Sequence, residues 1–254
     1  MKNNIFWAVT ALVLFAATAC KKDKINPSDS SSGTDNVVLK IEHTWQDSLE
    51  FEMNTNLVNP LTNDSLNFTT FKYYISNIRL KKADGSWWTQ ANSYFLLDLS
   101  NGTTPTVQLS GVPYGEYTDI EYILGVDSTR NVSGAQDGAL APSLGMFWSW
   151  NSGYIMLKAE GTSPNASMGS FAFHLGGFSG SNNVVTKKTH NFVGNSLSVT
   201  GNGHCQIHLS AAPQTLWQTA GSVSGNSMIH MPGASAKTMA DDFYASFQFE
   251  HIHE

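Results

Sequence analysis

The chain has 254 residues, of which 41% are hydrophobic and only 13% are charged, and its formal net charge is −6. This length suits one large all-β domain or two small ones with a substantial core. The acidic balance, with no basic stripe, excludes a typical nucleic-acid-binding protein. Because no apolar stretch of transmembrane length follows residue 20, the sequence predicts a soluble body.

The first twenty residues have the pattern of an export signal. A short basic start containing Lys2 precedes an apolar run over residues 5–17 that is too short to span a bilayer, and small residues lead up to Cys20. This pattern resembles a bacterial lipoprotein signal, which predicts removal of residues 1–19 and lipidation of Cys20. A plain secretory signal with an incidental cysteine is the alternative.

The segment after the signal is polar and serine-rich, as is typical of a flexible tether. The sequence therefore predicts a lipidated tether over residues 20–36 and one folded domain over residues 37–254. The expected location is the outer membrane, as a lipoprotein that faces the periplasm or the cell surface. With Cys20 acylated only Cys205 remains, so an internal disulfide is excluded and Cys205 is expected to be a small buried residue.

From Val37 onward, short segments of alternating polarity recur between Gly, Pro, Asn and Asp residues, and they predict an all-β, antiparallel β-sandwich with a single domain and little helix. Asp84-Gly85 predicts a hairpin turn, because Asp-Gly accepts the positive φ that such turns require. Two helical turns are expected over residues 234–242 and one over residues 144–151. The predicted strands, in chain order, cover residues 37–41, 71–80 with a small kink, 94–99, 117–124, 154–157, 171–175, 184–192, 204–209 and 243–253.

Motifs of nucleotide-binding and hydrolytic enzymes are missing from the sequence. It contains no phosphate-binding glycine loop, no G-x-S-x-G and no H-E-x-x-H. A metal-dependent hydrolase would need a general base beside a metal-bound water, and no Asp or Glu stands at motif spacing to a histidine pair. We therefore expect a protein that is not an enzyme, and the eight histidines and seven tryptophans become the candidates for function.

Two histidine motifs place paired rings on one face of a strand. His43 and Trp45 stand two residues apart in the first strand, so alternation puts their side chains about 7 Å apart on one face. His251 and His253 repeat this spacing near the C-terminus, where a frayed tail is the alternative. Rings spaced in this way can converge on one metal ion.

Other histidines occur singly in the predicted strands. His174 lies in a bulky strand that runs into a glycine turn, where an ordinary hydrogen-bonded histidine is equally expected. His230 lies between Met228 and Met231, and sulfur with imidazole suits Cu(I) better than a hard cation. His208 is interpreted as an ordinary polar strand residue.

Residues 145–154 contain four aromatic side chains and a methionine. They could form a ligand platform, but aromatic side chains bury large areas, so the interpretation that physical chemistry favours is a core plug built on Trp148 and Trp150.

The longest distinctive segment is GVDSTRNVSGAQDGALAPSLGMFWSWNSGYIMLKAEG, over residues 125–161. With FKYYISNIRL (71–80), VPYGEY (112–117) and FHLGG (173–177), it closely resembles the signature of the MbnP-like family, which is named for a periplasmic copper-binding protein encoded with methanobactin genes. The resemblance implies a secreted or lipid-anchored β-sandwich that binds copper as Cu(I). It further implies a tryptophan oxidised to kynurenine by a partner diheme enzyme of the cytochrome-c-peroxidase class.

Carried over by position, the resemblance implies that His174 and His43 are copper ligands and that Trp45 is the oxidised tryptophan. We further expect His230 or His251 to complete the ligand set. We therefore expect the imidazoles of His43 and His174 to meet around one ion. The alternative is a glycan- or protein-binding lipoprotein module whose metal site has decayed and whose loop aromatics, Trp87, Trp88 and Trp217, contact the ligand.

Overall fold

The computed structural model describes residues 32–46, 49–101, 104–148 and 153–254. These residues fall in one compact unit, Ser31–Glu254. The predicted signal, Cys20, residues 20–31 of the predicted tether and Trp150 lie outside the described residues. Within the described part, no helix is long and apolar enough to cross a membrane.

Strands are the main secondary structure of the described chain, and the first begins three residues before the predicted domain boundary. The longer helix, α2 (Ala234–Ala245), extends the two predicted turns, and α1 (Ser128–Val132) is a single short turn. In chain order the strands are β1 (Thr34–Trp45), β2 (Leu49–Glu50), β3 (Leu57–Val58), β4 (Ser65–Lys82), β5 (Trp87–Thr89), β6 (Tyr94–Asp98), β7 (Thr106–Pro113), β8 (Gly115–Leu124), β9 (Phe147–Trp148), β10 (Gly153–Thr162), β11 (Ser170–Gly176), β12 (Thr186–Asn191), β13 (Leu197–Val199), β14 (Gln206–Ala211), β15 (Met228–Ile229) and β16 (Gln248–His253).

The strands form two sheets. The smaller has the order β16-β14-β1-β2, with β7 also paired to β1. The larger has the order β12-β8-β4-β10-β11-β15, and β3, β5, β6, β9 and β13 pair with its members. The predicted all-β sandwich is confirmed, but the pairing is not wholly antiparallel, because β1–β14 and β11–β15 run parallel.

Alternation along the strands decides which side chains enter the core between the sheets. In β1 the residues from Val37 to Trp45 alternate between buried and partly exposed. Phe71 and Tyr73 of β4 and Phe173 of β11 are buried on the inner face of the larger sheet and belong to the same apolar cluster. The residues between them therefore point away from the core.

Local predictions within β4 and the following hairpin are confirmed. The predicted kink coincides with Asn77, whose φ of +52° accompanies a break in register between Ser76 and Arg79. Gly85 has a φ of +88° in the turn between β4 and β5. The helical turn predicted over residues 144–151 is wrong, because a 3-10 turn ends at Leu144 and β9 follows.

Candidate metal centre

His43 and Trp45 share one face of β1, as predicted, and the structure shows that this face lines the interior of the sandwich. Their exposed fractions are 6% and 1%. The Nε2 atom of His43 lies 3.0 Å from the hydroxyl oxygen of Tyr73, and the two rings meet edge to face. Burial lowers the pKa of His43 to about 3, so its imidazole is neutral at neutral pH. His43 thus has a hydrogen-bond partner within the core.

His43 is among the residues that line an open cavity of about 440 Å³. Glu50, Glu52 and Met53 contribute to the lining of this cavity, and the other histidines do not. The cavity beside His43 therefore lies apart from the other predicted ligands.

The indole of Trp45 is fully accommodated by its surroundings. Its Nε1–H donates a 2.9 Å hydrogen bond to the carbonyl oxygen of Val58. The ring stacks on Phe51 and meets the edge of Phe68, with centroids 5.7 and 6.0 Å away. Oxidation of this tryptophan would open the ring within an aromatic core.

His174 lies on the opposite face of the larger sheet. It pairs with Lys158 of β10, which in turn pairs with Lys72 of β4, and these three residues form a partly exposed row. Tyr73, the partner of His43, is next to Lys72 on the inner face. The expectation that His43 and His174 meet around one ion is therefore corrected, because the sheet itself separates the two side chains.

The structure instead pairs His174 with His230. β15 runs parallel to β11, so that Ile229 pairs with Phe173 and His230 follows at the level of His174. The Nδ1 atoms of the two imidazoles are 3.3 Å apart, and the rings meet edge to face with centroids 4.7 Å apart. His230 is exposed and His174 is half-buried, so the pair is open to solvent.

Glu160 determines which nitrogen of His174 is available. Its Oε1 lies 2.7 Å from His174 Nε2, and Lys158 Nζ lies 3.3 Å from the same oxygen. Burial raises the pKa of Glu160, but the hydrogen bond from His174 and the charge of Lys158 outweigh it and leave the pKa below its usual value. The ionised carboxylate can only accept a hydrogen bond, so Nε2 carries the proton and Nδ1 keeps its lone pair towards His230.

The same argument sets the protonation of the pair. Burial lowers the pKa of His174 more strongly than the hydrogen bond to Glu160 raises it, so the ring is neutral near pH 7. His230 Nδ1–H then donates to the lone pair on His174 Nδ1. A cation that replaces this shared proton finds two imidazole nitrogens converging on it, while His230 can carry its own proton on Nε2.

Trp148 supports the strand that carries His174. It is buried in β9, as the predicted core plug requires, and its ring lies against Gly176 at the end of β11. A Cβ at Gly176 would come within 2.5 Å of this ring and 2.9 Å of the Tyr154 carbonyl oxygen. The first glycine of the FHLGG segment is therefore required by this close approach.

A second imidazole pair lies on the outer face of the smaller sheet. The tail that carries His251 and His253 is not frayed, because β16 pairs with β14 and places His251 opposite His208. The two rings stack with centroids 4.2 Å apart and an interplanar angle of 20°, and the His253 ring is 6.4 Å from His208. Glu42 of β1 lies 3.4 Å from His208 Nδ1.

The sequence patterns did not identify Glu160 as the partner of His174, and they did not predict that His208 pairs with His251. Glu160 carries a detectable signal, since it alternates with Lys158 on the outer face of β10. The partner of His208 is forty-three residues away in sequence and depends on the pairing of β14 with β16. Within the described residues, no three His, Cys, Asp or Glu side chains converge in a way that could hold a metal ion.

Two further predictions have clear outcomes. Cys205 is buried and its Sγ–H donates to the carbonyl oxygen of Ser198, and burial raises its pKa, so it is a protonated thiol as expected. The expectation that Trp217 contacts a ligand from an exposed loop is wrong, because only 1% of its surface is exposed. Trp87 is exposed, and Arg79 lies 4.2 Å from its ring centre.

The fold and these side chains together define a β-sandwich that carries imidazole pairs on its outer faces. Within this class, the chain belongs to the MbnP family, whose family model matches residues 34–232. Membership indicates a copper-related role. Among solved structures, MbnP from Methylosinus trichosporium is similar at 16% identity over 80% of this chain and 83% of that chain, with a TM-score of 0.49. No curated protein matches this chain.

Proposed function

We propose that this protein binds copper as Cu(I), its cargo rather than a catalytic cofactor, at the His174–His230 pair. The observation that supports this proposal is the 3.3 Å approach of the two Nδ1 atoms on an open face of the sandwich. Membership in the MbnP family supplies the link to copper. The role is binding, without a reaction.

The donor set fits copper chemically. Neutral imidazole is a good copper ligand, and the lone pair of His174 already points at its partner. Glu160 occupies the outer nitrogen of His174, which is the arrangement that orients metal-bound histidines and raises their basicity. Met228 and Met231 flank His230 in sequence and are 37% and 60% exposed, so soft sulfur is available next to the pair.

Anaerobic titration with Cu(I) in competition with a chromogenic chelator tests this proposal. We expect the purified protein to bind one Cu(I) with an affinity that falls by more than about 100-fold in His174→Ala and in His230→Ala, a larger loss than the roughly 10–100-fold that outer-sphere changes cause. His230 is exposed, so its replacement leaves the core intact. His204→Ala is the matched control, because His204 is an exposed histidine outside both pairs.

Two outcomes would contradict the proposal. Unchanged Cu(I) affinity in the His174→Ala/His230→Ala double variant excludes this pair. Loss of Cu(I) binding in His43→Ala, with binding retained in the double variant, would place the ion in the cavity beside His43.

The oxidation of Trp45 by a diheme partner is a separate part of the proposal, and it would create an aniline amine and a ketone beside His43 rather than beside the copper pair. Opening of the indole ring is an oxidation, so it requires an oxidant, which the diheme partner enzyme would supply. The oxidant cleaves the C2–C3 bond of the indole and adds an oxygen atom to each of the two carbons, and hydrolysis then releases C2 as formate. The net exchange of one carbon for one oxygen adds about 4 Da. The intact mass of protein from its native host, with and without the partner enzyme, tests this step.

The proposed location is the cell envelope, with Cys20 as the lipid anchor. The support is the sequence pattern of residues 1–20. Metabolic labelling with a fatty acid should label the wild-type protein and not Cys20→Ser. Label on the variant, or an unlabelled wild type, would contradict the anchor.

A further inference from the structure

The outer face of the smaller sheet carries a cross-strand pair of imidazoles that the copper proposal does not use. His208 of β14 and His251 of β16 are direct partners in an antiparallel ladder. Their rings are nearly parallel with centroids 4.2 Å apart. Directly opposed side chains on one face of an antiparallel pair have Cβ atoms about 4.5–5.5 Å apart. A turn of the exposed His251 ring out of the stack therefore lets one nitrogen of each ring point at a single ion, with bonds of about 2 Å.

His208 has a buried nitrogen that nothing satisfies. The residue is 7% exposed, and its Nε2 is buried without a hydrogen-bond partner among the described residues. A buried polar atom of this kind is uncommon and requires an explanation. The ring of the exposed His251 covers this side chain, so a cation that draws both imidazoles onto it would give the nitrogen a partner.

Glu42 gives His208 the protonation state that a metal ligand needs. The carboxylate accepts a hydrogen bond from His208 Nδ1 at 3.4 Å, so the proton stays on Nδ1 and Nε2 keeps its lone pair. Lys40 Nζ lies 2.8 Å from the same carboxylate oxygen, so Glu42 balances the positive charge of Lys40. This is the carboxylate–histidine arrangement found at metal sites.

We propose that His208 and His251 form a second metal site, for a divalent cation of the kind that imidazole prefers, such as Zn²⁺, with water as the remaining ligands. A site of imidazole nitrogen and water, with an outer carboxylate, suits such a cation, whereas Cu(I) prefers a site that also offers sulfur ligands. His251 lies beyond the residues that the family model matches. It does not depend on the copper proposal.

The test is calorimetric titration of Zn²⁺ into the full chain carrying His174→Ala and His230→Ala, which removes the first pair. We expect one zinc ion to bind in this background. Addition of His251→Ala should lower the zinc affinity by more than about tenfold, and Glu42→Gln should lower it by about tenfold, the scale of outer-sphere partners. His251 is exposed, so its removal leaves the sandwich folded.

His204→Ala in the same background is the matched control and should leave the affinity unchanged. The nitrogen resonance of His208 Nε2 should shift on addition of zinc. Zinc binding that survives His251→Ala, or an unshifted Nε2 resonance in the presence of bound zinc, overturns the proposal. Failure of the copper proposal would appear as unchanged Cu(I) affinity without the first pair, so the two proposals fail independently.

Discussion

The two imidazole pairs lie on the outer faces of different sheets and are built differently. His174 and His230 come from parallel neighbours and meet edge to face at an interplanar angle of 81°, whereas His208 and His251 come from antiparallel neighbours and stack at 20°. The first pair holds its carboxylate at 2.7 Å and the second at 3.4 Å. Strand pairing brings distant histidines together in both, and the neighbouring residues distinguish their expected metals.

The pairs also differ in what surrounds the lone pair that would bind a cation. In the first pair the lone pair on His174 Nδ1 accepts a hydrogen bond from the exposed His230. In the second the Nε2 of His208 is buried without a partner. A cation entering the first pair therefore replaces a hydrogen bond, while a cation entering the second satisfies an atom that is otherwise unpaired, which is the more favourable exchange per contact.

The largest expected effect on this comparison comes from replacing the carboxylate that contacts His174. Glu160→Gln should lower the Cu(I) affinity of the first pair by about 10–100-fold, because the short contact to His174 both fixes the tautomer and raises the basicity of the ring. Zinc binding at the second pair should not change. Competition titrations of Cu(I) and calorimetry with Zn²⁺ measure both values, and an equal loss at both pairs would indicate general unfolding instead.

Gly176→Ala should affect the first pair alone. The added methyl group collides with the Trp148 ring and the Tyr154 carbonyl, so we expect a loss of about 1–3 kcal/mol in the free energy of unfolding. Because Gly176 ends the strand that carries His174, the Cu(I) affinity should fall as well, while zinc affinity at the other sheet stays constant. Urea denaturation and the two metal titrations check this, and wild-type stability would contradict the close approach.

His43→Gln should change the pH dependence of stability without changing metal binding at either outer pair. The pKa of His43 is near 3 in the folded protein and near its ordinary value of 6.5 when unfolded, so the unfolded state binds more protons between these values. The stability from the neutral ring is present above pH 6.5 and is lost as the pH falls towards 3. The variant lacks this loss. Its free energy of unfolding should therefore increase relative to that of the wild type by up to about 1.4 kcal/mol for each pH unit of acidification between 6.5 and 3.

Denaturant unfolding at several pH values measures this difference. A constant difference between pH 7 and pH 4 would show that His43 takes up its proton without unfolding. Both metal affinities should stay unchanged at neutral pH, since His43 contacts neither pair.

The amino-acid sequence by itself determined the all-β class, the kink at Asn77, the turn at Gly85, the placement of His43 and Trp45 on one face of β1, and the membership in the MbnP family. These features depend on local alternation, turn chemistry and a long distinctive segment, all of which can be read along the chain. The same alternation marks His174 as a residue whose side chain is opposite to those of Phe173 and Leu175.

Only the tertiary structure decided which histidines meet. Alternation states that a side chain changes face at each residue, but it does not state which strand lies alongside. The family resemblance did not supply this information either, so it led to the expectation of His43 and His174 at one ion although a sheet separates them. The pairs His174–His230 and His208–His251 exist because β15 pairs with β11 and β16 pairs with β14. Such pairings between distant segments are set by the packing of the whole core, which no local pattern contains.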